Sequence, residues 1–251
     1  MENIPSSTRL ISCLMPTYNK MPQSQALVEE AIQSFLLQTY ELCELIVCND
    51  CPQQTLTFDH PRVKILNEKR RFRSLGEKLN AMIEQSSGDW LARWDDDDIS
   101  LPWRLQWSVA VQERTKADYV ASNAFWATNA EITEFAYGAY GQCMFRKHAW
   151  RTVNGFRHTS FGEDAAFEQA LGGQGFNIVR EDVDYDSCYY FYRWNTGSEH
   201  VSGFGRNGKG WERIGAMPVV PGVFKLHPHW EEDYVARARA AAKLYRESAG
   251  T

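Results

Sequence analysis

The chain lacks any apolar stretch long enough to span a membrane, and its polar N-terminal segment MENIPSSTRL has no apolar core of the kind found in secretory signals. It also lacks an excess of basic charge. The net charge is -5, which excludes a general positive field toward nucleic acid or anionic membranes. Its six cysteines do not show the spacing of a disulfide framework. Cys48 and Cys51 form one C-x-x-C pair, but the sequence has no second pair to complete a zinc site with them. We therefore expect a soluble, cytoplasmic protein with reduced thiols.

The composition that remains is that of an ordinary globular protein. Of the 251 residues, 43% are hydrophobic and 24% are charged, and the length suits one large domain. Nine Trp, eleven Tyr and thirteen Phe fit either a binding cleft or a core. The only basic cluster of note is KRRFR at residues 69–73, which is typical of a solvated loop.

Strand-like and helix-like segments alternate through the first hundred residues. Apolar runs at residues 10–15, 42–48, 63–66 and 90–94 predict buried strands, and the spacing at 25–38 and 74–86 predicts helices. This alternation favours an α/β fold with a mainly parallel central sheet flanked by helices. Beyond the first hundred residues we expect a helix to about residue 115, a strand at 118–122 and then shorter aromatic strands. We also expect a helix around 163–171, a Gly-rich loop at 197–210 and a final helix at 231–248.

Three polar clusters follow predicted strands. They are PTYN at residues 16–19, Asn49 with Asp50, and the run from Asp95 to Asp98. Because ligands bind at the carboxyl ends of strands in such sheets, the clusters indicate a binding site at one sheet edge.

The four consecutive Asp residues predict a site for Mn²⁺ or Mg²⁺, since these ions prefer oxygen ligands. If the strand continued through the run, Asp95 and Asp97 would share one side and Asp96 and Asp98 the other. The alternative is an acidic turn at the start of the following helix, where carboxylates stabilise the helix dipole.

Several motifs in this order resemble the family 2 glycosyltransferases of the GT-A fold. They are PTYN, VCND, GEKLN at residues 76–80, SGDWLARWDDDDISLPWRL and FGEDAAF, and the similarity extends over roughly residues 9–200. The resemblance implies a single GT-A-like domain over residues 1–251. Residues 9–122 would form the nucleotide-sugar half, 123–229 the smaller acceptor-side half, and 230–251 the C-terminal helix.

The resemblance also implies roles for individual residues at the donor site. Asp97 would hold the metal, because the departing diphosphate needs a divalent cation. The donor-contacting residues implied by the family motifs are Thr17, Tyr18, Asn19, Asp50, Lys78, Asn80, Asp95 and Asp96, with Asp50 on the nucleobase. Arg193 in YRW would add positive charge near the diphosphate.

The Glu163-Asp164 pair is the candidate for proton chemistry. Inverting transfer needs a base for the acceptor hydroxyl, and the family places that base at the second acid, Asp164. A pair of acids that merely begins a helix is the alternative. His200 is the candidate for the metal shell; family members often carry a His nearer to the Y-R motif, where this chain has Asn195. His227 and His229 are weaker candidates.

The resemblance favours an inverting, metal-dependent transferase that uses a nucleotide sugar, for which we expect a UDP-linked donor, and a saccharide acceptor, the commonest kind among relatives. A glycosyltransferase of hydroxymethylated DNA bases is one alternative, since KRRFR and the aromatics would suit a flipped base. A nucleotidyltransferase and a non-catalytic nucleotide-sugar-binding module are others. PTYNKMPQ lacks the Gly-rich basic loop expected of the former.

Overall fold

The centre of the protein is a twisted sheet in which seven strands pair within the described residues. The computed structural model describes residues 9–128, 133–138, 142–193 and 209–249. With strands numbered in chain order, the sheet runs β11 (Ile178–Glu181), β7 (Tyr119–Ser122), β10 (Cys143–Arg146), β5 (Trp90–Arg93), β1 (Ile11–Thr17), β2 (Cys43–Asn49) and β4 (Val63–Asn67). All pairings are parallel except those of β10 with β5 and β7. The predicted mainly parallel α/β sheet is confirmed.

Helices cover both faces of this sheet. They are α1 (Gln25–Leu36) and α3 (Arg104–Thr115) in one apolar cluster, and α2 (Leu75–Glu84), α4 (Lys147–Thr152) and α5 (Glu163–Gly173) in the other. Two further helices, α6 (Gly210–Gly215) and α7 (Tyr234–Ala249), lie outside these two clusters. Successive strand residues point to opposite faces. Met15 of β1 accordingly packs in a cluster with Phe35 of α1, and Leu14 packs in a second cluster with Leu79 of α2 and Phe167 of α5.

A second sheet begins directly after the Asp run. Its strands lie in the order β6 (Ile99–Ser100), β12 (Tyr190–Arg193), β8 (Ala124–Thr128) and β9 (Thr133–Tyr137), and an aromatic cluster joins it to α7. A small parallel pair joins β3 (Gln54–Thr57) to β13 (Gly222–Lys225). The second sheet therefore carries the chain from the Asp run toward the downstream half of the protein.

The segments that the sequence did not predict are short. They are β3, β6, β13, α4 and α6, each of two to six residues. In β13, Val223 is 73% exposed and only Phe224 packs against the core, so four residues give no periodic apolar signal. The short strands β3, β6 and β13 are fixed by their pairing partners rather than by their own sequence.

Within the described ranges, no helix combines the length and the hydropathy needed to cross a bilayer. All six cysteines are free and buried.

Candidate active site

A cavity of about 820 Å³ lies at the carboxyl edge of the central sheet. Its walls come from residues that follow β1 and β5, from α2, from the first turn of α5 and from β8, β12 and α6. The structure brings seven of the predicted site residues to this cavity: Thr17, Tyr18, Lys78, Asp95, Asp96, Asp97 and Asp164.

The four Asp side chains are arranged differently from the predicted alternation. The chain leaves β5 after Arg93 and bends at residues 96–98. Asp96 and Asp97 both contact the same ammonium group, whereas Asp95 and Asp98 both contact the hydroxyl of Tyr190. The predicted pairs were wrong because the two-residue period of a strand does not continue through a bend.

Lys20 supplies the ammonium group at Asp96 and Asp97. Its Nζ lies 2.8 Å from Asp97 Oδ2 and 3.4 Å from Asp96 Oδ1, and all three side chains are about 10% exposed. Burial lowers the pKa of Lys20, but the two carboxylates outweigh it and raise that pKa above its ordinary value. Asp96 Oδ2 is buried with no hydrogen bond to any described group. This pair of carboxylates is therefore arranged around a positive charge.

Asp98 is held by the second sheet. It accepts hydrogen bonds from the Tyr190 hydroxyl at 2.5 Å and from the backbone N–H of Arg193 at 2.7 Å. Burial, followed by the charges of Asp97 and Asp95, raises the pKa of Asp98 well above its ordinary value. Asp98 thus fastens the end of the Asp run to β12.

Asp50 lies next to the cavity but does not line it. The side chain is fully buried, and its oxygens accept from Lys78 Nζ at 2.6 Å and from the Phe72 backbone N–H at 2.9 Å. Lys78 itself lines the cavity and also donates to the Thr17 carbonyl at 2.7 Å. The Asp50-Lys78 pair therefore ties β1, β2 and α2 together beside the cavity.

Glu163 and Asp164 begin α5 on the cavity wall, near Arg93. Glu163 is buried, with Oε1 3.5 Å from Arg93 NH1. Burial and the charge of Asp164 raise the pKa of Glu163, against the lowering effect of Arg93. Asp164 is only half-buried; its Oδ1 accepts from the Ala165 backbone N–H at 2.7 Å. Of the two acids, Asp164 is the one exposed to a molecule entering the cavity.

Arg71, from the predicted solvated loop KRRFR, lies at the cavity between two aromatic rings. Its guanidinium carbon is 4.3 Å from the ring centre of Tyr18 and 4.4 Å from that of Trp211, and it donates to the Trp211 carbonyl at 2.5 Å. Its neighbours Arg70 and Arg73 are exposed near Glu77. The prediction of a wholly solvated basic loop was therefore wrong for Arg71.

Asn19 and Asn80 do not reach the cavity. Asn19 donates to the Pro218 carbonyl at 3.0 Å. The Asn80 Oδ1 accepts from Trp150 Nε1 and from the Phe156 backbone N–H, each at 2.9 Å, and its Nδ2 donates to the Phe156 carbonyl. The structure thus places both amides in contacts between chain segments, in contrast to the donor contacts expected from the motifs.

Arg193 also points away from the cavity. Its guanidinium forms a buried ion pair with Glu30 of α1, donates to Tyr234 of α7, and donates to the Asp97 carbonyl at 2.5 Å. It therefore links α1, α7 and the Asp run, and does not supply the expected charge at the cavity wall.

The histidine predictions have different outcomes. His200 and Asn195 lie outside the described residues. His227 and His229 are exposed and do not line the cavity. In the part of the chain that the structure describes, no group of three or more His, Cys, Asp or Glu side chains is arranged to hold a metal ion by itself.

Three cationic residues of the cavity were missed: Lys20, Arg71 and Arg93. Each had a signal in the sequence. Lys20 directly follows PTYN, Arg71 lies in KRRFR, and Arg93 is a charged residue at the end of the apolar run WLA. A lone charge beside a polar motif does not reveal which way its side chain turns, so these signals could not be read without the fold.

Comparison with known proteins identifies the family of the chain. The profile described as Glycosyl transferase family 2 matches residues 12–161. The chain is 30% identical over 212 residues to EpsE of Bacillus subtilis (strain 168), whose name assigns it to the glycosyltransferases, and the match covers 69% of this chain and 74% of EpsE. It is 28% identical over 119 residues to the UDP-Glc:alpha-D-GlcNAc-diphosphoundecaprenol beta-1,3-glucosyltransferase WfgD of Escherichia coli, which covers 45% of each chain.

Solved structures share the fold at low identity. S. aureus TarS 1-349 in complex with UDP-GlcNAc superposes with a TM-score of 0.57 at 15% identity, over 75% of this chain and 59% of TarS 1-349. The mannosyltransferase PcManGT of Pyrobaculum calidifontis, in complex with GDP-Man and Mn²⁺, gives 0.58 at 16% identity, over 82% of this chain and 60% of PcManGT. The chain thus spans less than two thirds of these two solved chains. Because the family profile covers more than half of the chain and EpsE matches along most of both sequences, the protein belongs to glycosyl transferase family 2.

Proposed function

We propose that the protein is an inverting, divalent-metal-dependent glycosyltransferase that moves a hexose from a UDP-linked donor to a hydroxyl of a saccharide acceptor. The observation that carries the proposal is the arrangement of carboxylates around one cavity. The Asp run lies on the β5 side, and the Glu163-Asp164 pair lies on the α5 side. A molecule of donor size fits between them, since small-ligand cavities commonly measure about 300–1,000 Å³.

The Asp96-Asp97 pair fits a divalent cation in its donor chemistry. Carboxylate oxygens are the ligands that Mg²⁺ and Mn²⁺ prefer, one buried oxygen of Asp96 has no described partner, and Lys20 already places a positive charge there. One or two protein carboxylates together with substrate phosphates are a common arrangement for Mg²⁺. We assign Asp97, with Asp96, as the residues that would hold the ion. When bound, the ion would neutralise charge on the departing diphosphate.

Asp164 would act as the general base. An oxygen of its carboxylate takes the proton of the acceptor hydroxyl while the hydroxyl oxygen forms a bond to the anomeric carbon. The bond from that carbon to the phosphate oxygen breaks on the opposite face, and its electron pair leaves with the nucleoside diphosphate. The half-exposed position of Asp164 supports this role, because an acceptor must reach it from solvent.

The identity of the substrates is supported by relatives. The name of WfgD specifies a UDP-glucose donor and a saccharide linked through a diphosphate to undecaprenol. TarS was solved with UDP-GlcNAc, whereas PcManGT was solved with GDP-Man, so fold alone does not select the nucleobase. We propose UDP and a lipid-linked or free saccharide. A DNA acceptor has less support, because Arg71 is engaged inside the cavity and Arg70 and Arg73 lie near Glu77.

Calorimetric titration of UDP, GDP and ADP tests the donor and the metal together. We expect UDP to bind most tightly and Mn²⁺ to strengthen its binding. The gain from Mn²⁺ should vanish in Asp97→Asn and persist in Asp186→Asn, which removes an exposed carboxylate outside the cavity. Equal UDP affinity in Mn²⁺ and in chelator would contradict the metal role, and the absence of nucleotide binding would contradict the proposed function.

A further inference from the structure

Arg93 is a buried cation on the cavity wall whose role the family assignment leaves open. It is the last residue of β5, it is 4% exposed, and it lies between the two groups of carboxylates. Its NH2 donates to Asp95 Oδ1 at 3.3 Å, and its NH1 is 3.5 Å from Glu163 Oε1. Arg93 thus lies between the Asp run and the α5 acids.

The guanidinium of Arg93 is incompletely hydrogen-bonded. Its Nε and NH1 are buried and donate to no group within the described residues. The 3.5 Å contact with Glu163 exceeds the usual hydrogen-bond range of about 2.7–3.2 Å. Buried donors are normally paired, so an unpaired Nε and an NH1 with only a long ion-pair contact leave hydrogen-bonding capacity on a residue that lines the cavity.

Arg104 provides a contrast within the same region. It is also buried, but it does not line the cavity. Its NH1 donates to Ser100 Oγ at 2.7 Å and its NH2 to the Arg93 carbonyl at 2.5 Å. The guanidinium of Arg104 is therefore used to hold the fold, whereas that of Arg93 retains donors for another molecule.

We infer that Arg93 binds ring hydroxyls of the sugar being transferred, and that this sugar is an uncharged hexose or N-acetylhexosamine. The inference rests on the proposed function in one respect: the diphosphate lies at the Asp run and the attacking hydroxyl at Asp164. The anomeric carbon must then lie between these groups, on the part of the wall that Arg93 occupies. Its planar guanidinium presents several donors in a fixed geometry, which suits neighbouring hydroxyl oxygens.

The charge around Arg93 selects against an acidic sugar. Asp95, Glu163 and Asp164 surround the guanidinium of Arg93, and the cavity lining as described has six acidic side chains against four basic ones. A uronate would bring a further carboxylate into a site that already holds more negative than positive charge, and like charges at close range repel. Hydroxyl oxygens accept from the guanidinium without adding charge.

The experiment compares the dissociation constants of UDP, UDP-glucose, UDP-N-acetylglucosamine and UDP-glucuronic acid by calorimetry. In the parent, the dissociation constant of at least one neutral UDP-sugar should be lower than that of UDP-glucuronic acid by about tenfold or more. Arg93→Lys keeps the positive charge but loses the planar guanidinium. Its affinity for that neutral UDP-sugar should fall about tenfold or more, because one hydrogen bond to a charged group is lost. Affinity for UDP itself should stay within about twofold.

Arg104→Lys is the matched control, and it should lower the melting temperature without changing the ratio of UDP to UDP-sugar affinity. An unchanged ratio in Arg93→Lys, or a parallel loss of UDP and UDP-sugar binding, would overturn the inference. Equal affinity of the parent for UDP-glucuronic acid and for the neutral UDP-sugars would also overturn the inference. This comparison needs only the parent, so it decides the matter even if Arg93→Lys fails to fold. A parent that binds no UDP would instead overturn the proposed function.

Discussion

Lys78 stabilises the fold beside the cavity because its charge is compensated inside the protein. Its Nζ contacts Asp50 Oδ1 at 2.6 Å, and both side chains are at most 2% exposed. The remaining oxygen of Asp50 accepts a backbone N–H, so the pair is hydrogen-bonded as well as neutral. A buried pair of this kind depends on both partners being present.

Replacing Lys78 with Met should therefore destabilise the protein strongly. The substitution leaves Asp50 as an uncompensated buried carboxylate, for which the loss is about 3–5 kcal/mol. Lys243→Met, which removes an exposed ammonium 3.9 Å from Glu247, should change the free energy of unfolding by less than about 0.5 kcal/mol. Urea denaturation measures both. A loss below about 1 kcal/mol in Lys78→Met would show that Asp50 finds another partner.

Glu163 should make stability depend on pH. Its pKa is raised above the ordinary value of 4.5, so above pH 4.5 the folded state holds more protons than the unfolded state. The free energy of unfolding contributed by this group therefore falls as the pH rises through the interval between the two pKa values.

Glu163→Gln removes this titration. The stability of the parent minus that of the variant should decline as the pH is raised from about 4.5, as measured by urea denaturation at several pH values. Glu231→Gln, at an exposed position, corrects for the general effect of removing one carboxylate. A difference that rises with pH would mean that the charge of Arg93, and not burial, has the larger effect on the pKa of Glu163.

The sequence predicted residue types at this site more reliably than side-chain directions. Asp95, Asp96 and Asp97 line the cavity because they follow β5 at the edge of the sheet where strand ends meet. Asp164, expected from the family motif and not from a strand end, begins α5 and lines the same cavity. The direction of Arg193 could not be predicted in the same way. Its partners Glu30 and Tyr234 lie 163 and 41 residues away in sequence, so only the folded topology determines them.

At the scale of elements, α2 packs closely against the segment before α5, beside the cavity. Gly76 of α2 donates its N–H to the Thr159 carbonyl at 3.0 Å. A Cβ at this position would lie 1.9 Å from the Arg157 carbonyl oxygen, which belongs to the backbone and cannot simply rotate away. The GEKLN motif thus begins with a residue that lets two segments of the cavity wall pack together.

Gly76→Ala should consequently destabilise the protein by about 1–3 kcal/mol, the usual range for overpacking. Gly173→Ala provides the control, because a Cβ there would meet nothing within 4 Å. Since Ala is the better helix former, Gly173→Ala should leave stability unchanged or raise it by up to about 1 kcal/mol. Thermal or urea denaturation compares the two, and equal stability of both variants would contradict the packing argument.

Elements with apolar periodicity could be predicted from the sequence, and elements held by partners could not. The strands β1, β2 and β5 are buried runs with a clear signal, whereas β6 has only two residues and exists because β12 pairs with it. The same distinction explains the bend in the Asp run. The contacts of Asp98 with Tyr190 and Arg193 draw the chain toward the second sheet, which no local pattern indicates.

At the scale of the whole molecule, the cavity joins contributions from distant parts of the chain. The central sheet supplies the Asp run, the second sheet supplies Tyr190 and Tyr192, and α5 supplies Asp164. The ion pair of Arg193 with Glu30 connects the second sheet to α1, behind the Asp run. The second sheet and the Asp run are thus tied to α1 by buried polar contacts.

The measurement that tests the central proposal most directly is the hydrolysis of a UDP-sugar to UDP and free sugar in the presence of Mn²⁺, in which water takes the place of the acceptor hydroxyl, with parent and Asp164→Asn compared. If Asp164 is the base, Asp164→Asn should bind UDP with parental affinity, since the amide oxygen can still accept from Ala165, while UDP release falls by roughly 10²–10⁴. Asp186→Asn should match the parent. If Asp164 only begins a helix, Asn would serve nearly as well and turnover would survive. Near-parental UDP release by Asp164→Asn would contradict the proposed mechanism.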